Sequence, residues 1–252
     1  MTGPIVGILG GMGPAATVDF YDKLVRATPA TCDQDHLRIV IWSDSSTPDR
    51  TRALLGNGPD PTPWLINGVR ALTAAGAELI AIPCNTAHAF LGPLRCAAGE
   101  VPILDMIQRT TRRVRALDPP AHPLGLLATT GTIVARLYHA PLEQAGIRVI
   151  VPDEPGGATM VMRAIKQIKA GQDGAELLYE AGRKLVARGA NAILAGCTEV
   201  TLALGESRLP VPLIDPAQIL AEDAVAWALS RYPSRFRDWE EVDVLSTRSS
   251  AG

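Results

Sequence analysis

Two cysteines stand in matched surroundings: Pro83-Cys84-Asn85-Thr86 follows one aliphatic run and Gly196-Cys197-Thr198-Glu199 follows another. A thiolate can attack as a nucleophile, form half of a redox pair, or remove a proton and later return it as a thiol. Inverting a carbon centre needs a proton to leave one face while another arrives on the opposite face, and two such groups are the minimal device. Chemically identical groups suit mirror-image substrates and products, because each direction exchanges the roles of acid and base. A redox pair and a nucleophilic mechanism are the competing readings. The other two cysteines, Cys32 in a polar segment and Cys96 late in a helix-like segment, lack repeat partners and are expected to pack as small apolar residues.

The elements that must position the thiols alternate along the chain. Residues 5–9, 38–42, 79–82, 124–128, 148–151 and 192–195 read as buried strands, while 15–26, 63–75, 131–145 and 175–188 carry apolar residues at helical spacing. This alternation implies βαβ units and parallel sheets. The chain also repeats itself. Ala75-Gly76-Ala77-Glu78 leads to Cys84, and 113 residues later Arg188-Gly189-Ala190-Asn191 leads to Cys197. Val101-Pro102-Ile103-Leu104-Asp105 returns as Val211-Pro212-Leu213-Ile214-Asp215 at an offset of 110. A period this long means duplicated domains rather than a solenoid. Each cysteine then falls at the carboxyl end of a parallel strand, where open α/β sheets place their ligand crevices. A helix N-terminus beside each sulfur is expected to lower the thiol pKa from about 8.5 towards neutrality.

Composition narrows the function classes. Hydrophobic residues make up 47% of the 252 and charged residues 20%, with a formal net charge of -2, as in a soluble globular protein, and nothing points to a nucleic-acid or anionic-membrane partner. Four cysteines without a CxxC pair suggest neither a disulfide framework nor a zinc site, so no metal is expected. Met1 runs directly into an apolar strand, and no apolar run reaches membrane-spanning length; the expectation is a cytoplasmic protein with no membrane partner. Residues 233–252 lose apolar periodicity and read as a disordered tail.

The motifs resemble the aspartate/glutamate racemase family, in its aspartate racemase branch, over nearly the whole chain up to Ala228. The resemblance is carried by GILGGMGP (Gly7 to Pro14), PDRT (Pro48 to Thr51), PCNTAHAF (Pro83 to Phe90), LLATTGT (Leu126 to Thr132), IKAG (Ile168 to Gly171) and GCTEV (Gly196 to Val200). It implies an α/β fold of two pseudo-symmetric half-domains, each a parallel sheet flanked by helices, with the active site in the cleft between them. The implied division places residues 1–105 and 214–232 in one half and 106–213 in the other. By the same resemblance, Cys84 and Cys197 are the catalytic acid/bases, and Asn85, Thr86, Thr130, Thr132 and Thr198 hold the substrate's α-carboxylate and amino group. Arg50 and Lys169 bind its side-chain carboxylate. A guanidinium offers a planar fork to a carboxylate and a lysine adds a point charge. A homodimer is also implied.

Other features keep more ordinary readings open. Gly10-Gly11-Met12-Gly13 lacks the GxGxxG spacing, so a nucleotide cofactor is rejected; a tight turn and a backbone approach to a small ligand are both compatible with it. Lys166 lies one turn before Lys169, and either amine could face the cleft. His88 invites a Cys-His hydrolase reading but has no counterpart after Cys197. No lysine sits in a recognisable Schiff-base setting, so no pyridoxal phosphate or other cofactor is expected. The expected activity is racemisation of an acidic amino acid, aspartate before glutamate or a broader set. A dicarboxylate isomerase or decarboxylase and a non-catalytic acidic-metabolite binding protein are the alternatives.

Overall fold

A computed structural model describes residues 3–117, 120–152, 157–205 and 209–231. The expected tail, 233–252, lies outside the described residues. Two parallel sheets organise the chain. The first has the order β2-β1-β3, with β1 (Ile5–Gly10) between β2 (Arg38–Ser43) and β3 (Leu79–Ala81). Gly7 on β1 stands level with Val40 on β2 and Ile80 on β3. The second has the order β5-β4-β6-β7, comprising β4 (Leu124–Ala128), β5 (Val149–Ile150), β6 (Ala192–Gly196) and β7 (Leu213–Ile214). The covering helices are α1 (Pro14–Ala27), α2 (Arg50–Leu54), α3 (Thr62–Ala74), α4 (Leu91–Ala98), α5 (Met106–Arg115), α6 (Thr130–Val134), α7 (His139–Gln144), α8 (Gly157–Lys169), α9 (Ala175–Ala187), α10 (Thr198–Leu204) and α11 (Pro216–Arg231).

Side-chain alternation explains why these strands read as continuous apolar runs. On β1, Val6 and Ile8 enter a core with Phe20 and Leu24 of α1 and Leu220 and Ala224 of α11, while Leu9 faces the opposite core with Val69 and Leu72 of α3. The second sheet does the same. Leu124, Leu126 and Leu194 pack with Tyr138 and Leu142, whereas Leu127, Ile193 and Ala195 pack with Ile165 of α8 and Leu178 and Leu185 of α9. A strand covered on both faces has no polar side to alternate with.

The repeat corresponds to repeated geometry. Gly76 follows α3 at φ +85° and Gly189 follows α9 at φ +92°, each turning the chain from a helix into the strand that leads to a cysteine. Asp105 caps α5 by accepting from Gln108 N–H at 3.0 Å, and Asp215 accepts from Ala217 N–H at 2.8 Å at the start of α11. After β7 the chain returns, and α11 packs on the first sheet. Residues 131–145, read as one helix, form two: α6 and α7 are separated by a turn in which Arg136 adopts φ +52°. Among the described residues, no helix is long and apolar enough to cross a membrane.

Candidate active site

Both buried thiols, Cys84 after β3 and Cys197 after β6, line one cavity of about 60 Å³. Arg50, Asn85, Thr86, Lys169 and Thr198 line it too, so seven of the nine residues singled out in the sequence meet there. Thr130 and Thr132 do not line it. Thr130 lines a neighbouring hollow with Arg163 and Lys166, and the fully buried Thr132 spends its hydroxyl inside the protein. Thr129 stands at the cavity wall instead. Lys166 also reaches the cavity, so the two lysines share this edge. Cys32 and Cys96 are exposed, which corrects the expectation that they pack as apolar residues.

The floor is a knot of hydroxyls joining the two halves. Thr86 Oγ1 lies 2.9 Å from Thr129 Oγ1 and 3.0 Å from Thr132 Oγ1, and Thr129 caps α6 by accepting from Thr132 N–H at 3.1 Å. The wall towards α1 carries the cations. Arg50 Nη2 donates to the Met12 carbonyl at 3.1 Å, and its Nη1 donates to Pro48 and Thr47 carbonyls at 2.9 and 3.2 Å. Lys169 Nζ donates to the same Met12 carbonyl at 3.3 Å. Met12, Arg50, Lys169 and Glu199 also line a hollow of about 480 Å³, which places this cationic wall between the thiol cavity and a wider outer space.

Glu199 is the polar residue that sequence reasoning left without a role. It is buried on the first turn of α10, pairs with Lys169 through Oε1, and accepts the Cys197 Sγ–H through Oε2 at 2.9 Å. Its signal was present: an acid within two residues of one thiol and absent from the equivalent place after the other. The consequence reverses an expectation. Burial and then the Glu199 carboxylate push the Cys197 thiol well above its ordinary value, although Lys169 opposes them. Burial alone would lower the Lys169 pKa, but Glu199 and the two sulfurs outweigh it and raise the value. Lys169 therefore stays charged while sharing its charge with Glu199.

His88 has a structural place. Met106 N–H donates to Nε2 at 3.1 Å, so the proton lies on Nδ1, which donates to the Cys84 carbonyl at 2.9 Å. Burial lowers its pKa and keeps the ring neutral. It sits in a 3-10 turn, Thr86–Phe90, rather than in an α-helix, and both ring nitrogens are occupied by backbone. The glycine turn is also structural in its first half. Gly11 adopts φ +86°, and a Cβ there would stand 2.4 Å from the Asp44 backbone nitrogen.

Two parallel sheets covered by helices, with a thiol at the carboxyl end of a strand from each and one cavity lined by both, define a two-domain α/β protein with a small polar crevice. The sequence profile of the Asp/Glu/Hydantoin racemase family matches residues 9–224, and the chain belongs to that family. It is 28% identical over 231 residues to the broad specificity amino-acid racemase RacX of Bacillus subtilis (strain 168), covering 90% of this chain and 99% of that protein. Its fold is similar to that of an aspartate racemase from Picrophilus torridus, with a TM-score of 0.81 and 31% identity over 90% of this chain and 94% of the other. An aspartate racemase homologue from Pyrococcus horikoshii OT3 superposes with a TM-score of 0.68 at 25% identity, covering 90% of this chain and 99% of that one.

Proposed function

We propose that the protein interconverts the enantiomers of an acidic amino acid, aspartate foremost, without a cofactor and with Cys84 and Cys197 as the two acid/base groups. One observation carries this reading: thiols from two different sheets line a single cavity together with Arg50 and Lys169. The likeness to the P. torridus aspartate racemase supports the choice of aspartate. The B. subtilis relative, matched over nearly its whole length, favours a broad-specificity racemase as the second reading. The same reading divides the chain into 1–105 with 214–232 and 106–213; Ile214 pairs with Leu194 in the second sheet, so the return falls after β7.

In this mechanism Cys84, as the thiolate, takes the α-proton from one face, and Cys197, held as a thiol beside Glu199, gives its proton to the other. Turnover leaves Cys84 protonated and Cys197 as the thiolate, so the reverse reaction starts from the product state. Glu199 accepts the S–H when Cys197 is protonated, and Lys169 offsets the negative charge when it is not. Asn85, Thr86, Thr129 and Thr198 surround the α-carboxylate and amino group, with Thr132 bracing the Thr86 and Thr129 hydroxyls from behind, while Arg50 and Lys169 hold the distal carboxylate. Thr130 contributes its place at the start of α6.

Pure L-aspartate in D₂O, without added pyridoxal phosphate, should yield D-aspartate carrying deuterium at Cα. Cys84→Ser and Cys197→Ser should each lower kcat by roughly 10²- to 10⁴-fold. A covalent adduct on one sulfur, or tight binding of acidic amino acids with no α-proton exchange, would overturn the two-base reading. Parallel assays with glutamate and neutral amino acids decide specificity, since one methylene changes discrimination by only about 1–3 kcal/mol.

A further inference from the structure

Asn85 is buried at the cavity edge with its amide split between two fates. Its Oδ1 accepts from the Tyr138 hydroxyl at 2.5 Å, while its Nδ2, also buried, has no hydrogen-bond partner among the described residues. A side-chain amide can present either end to a ligand, because a half-turn exchanges oxygen for nitrogen at little steric cost. Whatever pins the oxygen therefore fixes where the nitrogen of this cavity-lining residue points. A buried amide nitrogen left without a protein acceptor costs free energy unless a ligand supplies one.

Tyr138 is suited to this task. It is fully buried, belongs to the core of the second sheet, and reaches across the cleft to a residue of the first. Burial raises its phenol pKa far above the ordinary range, so the hydroxyl keeps its proton and donates. It lies two residues after the turn at Arg136 that separates α6 from α7.

We infer that Tyr138 is a positioning residue that orients the Asn85 amide, so that its N–H₂ donates to the α-carboxylate of the amino acid. The inference rests on the racemase reading above. It also makes donor orientation depend on the two halves being docked, because the hydroxyl and the amide belong to opposite sides of the cleft.

A double-mutant cycle over Tyr138→Phe and Asn85→Ala tests it. Tyr138→Phe removes one oxygen and keeps the ring; it should lower kcat/KM by about ten- to a hundredfold, the range of a hydrogen bond to a charged group. The loss should fall on kcat as well as on KM, because the carboxylate oxygens gain negative charge as the α-proton leaves and the donor then holds them more strongly. In the Asn85→Ala background the same change should cost less than about threefold, the signature of two residues acting as one unit. A purely structural Tyr138 gives effects that multiply instead, and that result overturns the inference while wild-type racemisation stands. A wild-type protein that neither exchanges nor inverts any acidic amino acid overturns the racemase reading and this inference with it. If Tyr138→Phe does not fold, Asn85→Asp carries the test: Tyr138 can still donate to one carboxylate oxygen, and the other replaces the N–H₂ donor. Its kcat/KM should fall at least about tenfold, and an unchanged kcat/KM overturns the orientation.

Discussion

At Cys197, burial and a carboxylate act against a helix end. The N-terminus of α10 favours the thiolate by at most about 2 kcal/mol, whereas complete burial of a charge costs up to about 4–7 kcal/mol. Glu199, 2.9 Å from the sulfur, adds to the burial side, and Lys169 returns part of the difference. The expectation of two thiols lowered alike came from adjacency in sequence, which shows a helix start but neither the depth of the sulfur nor the carboxylate folded back upon it. Two consequences are measurable. Alkylation of Cys197 by iodoacetamide should be slow at neutral pH and accelerate about tenfold per pH unit into the alkaline range, following the thiolate fraction. Glu199→Gln removes the repelling carboxylate and leaves Lys169 unpaired, so it should move that profile to lower pH. Peptide mass mapping of the labelled sites reads both, and an unmoved profile would remove Glu199 from the account of this thiol.

Among the elements, the long strands and the most regular helices were legible because their apolar residues recur at the period of the structure they form. α6 is five residues long, too short for a helical period to register. The segment 131–145 shows the limit of periodicity from the other side: its spacing continues through the break at Arg136, since spacing records which residues face the core and not whether the backbone between them stays helical. The turn from β1 into α1 is a second case. Its glycines suit both a ligand cradle and a tight turn, and the structure gives Gly11 to the turn, with Thr17 Oγ1 accepting its N–H at 2.8 Å and the Asp44 backbone where a Cβ would stand. Gly11→Ala should therefore cost roughly 2–5 kcal/mol, from the positive φ and the contact together. Urea unfolding should show a lowered midpoint at unchanged slope. A loss below about 1 kcal/mol would mean that this turn relaxes without strain.

Across the whole molecule, α5 and α11 carry apolar residues into the cores of both sheets, and polar groups tie the two halves at the cleft. Thr86 meets Thr129 and Thr132, Tyr138 meets Asn85, and Lys169 bonds both Glu199 of its own half and the Met12 carbonyl of the other. Such ties have a pH dependence whose sign follows from the direction of the shift. Lys169 is raised above its ordinary value of 10.5, so the stability it contributes is fully present below that pH and is lost as pH climbs through the folded-state value. The urea midpoint of the wild-type protein should fall more steeply above pH 10.5, the ordinary lysine value, than that of Lys169→Met. Parallel curves would show that the ammonium contributes nothing to holding the cleft.

The duplicated halves, the strands that end at Cys84 and Cys197, and the family were all legible in residue order, because hydrophobic period, helix-ending glycines and capping aspartates are local signals that a duplication writes twice. What tertiary structure alone decided is which of the neighbouring groups meet. Thr129 rather than Thr130 or Thr132 lines the cavity, Glu199 turns back onto Cys197, and Tyr138, 53 residues beyond Asn85, reaches its amide. These contacts depend on helix rotation, on the break at Arg136 and on the docking of one sheet against the other, none of which leaves a period along the chain.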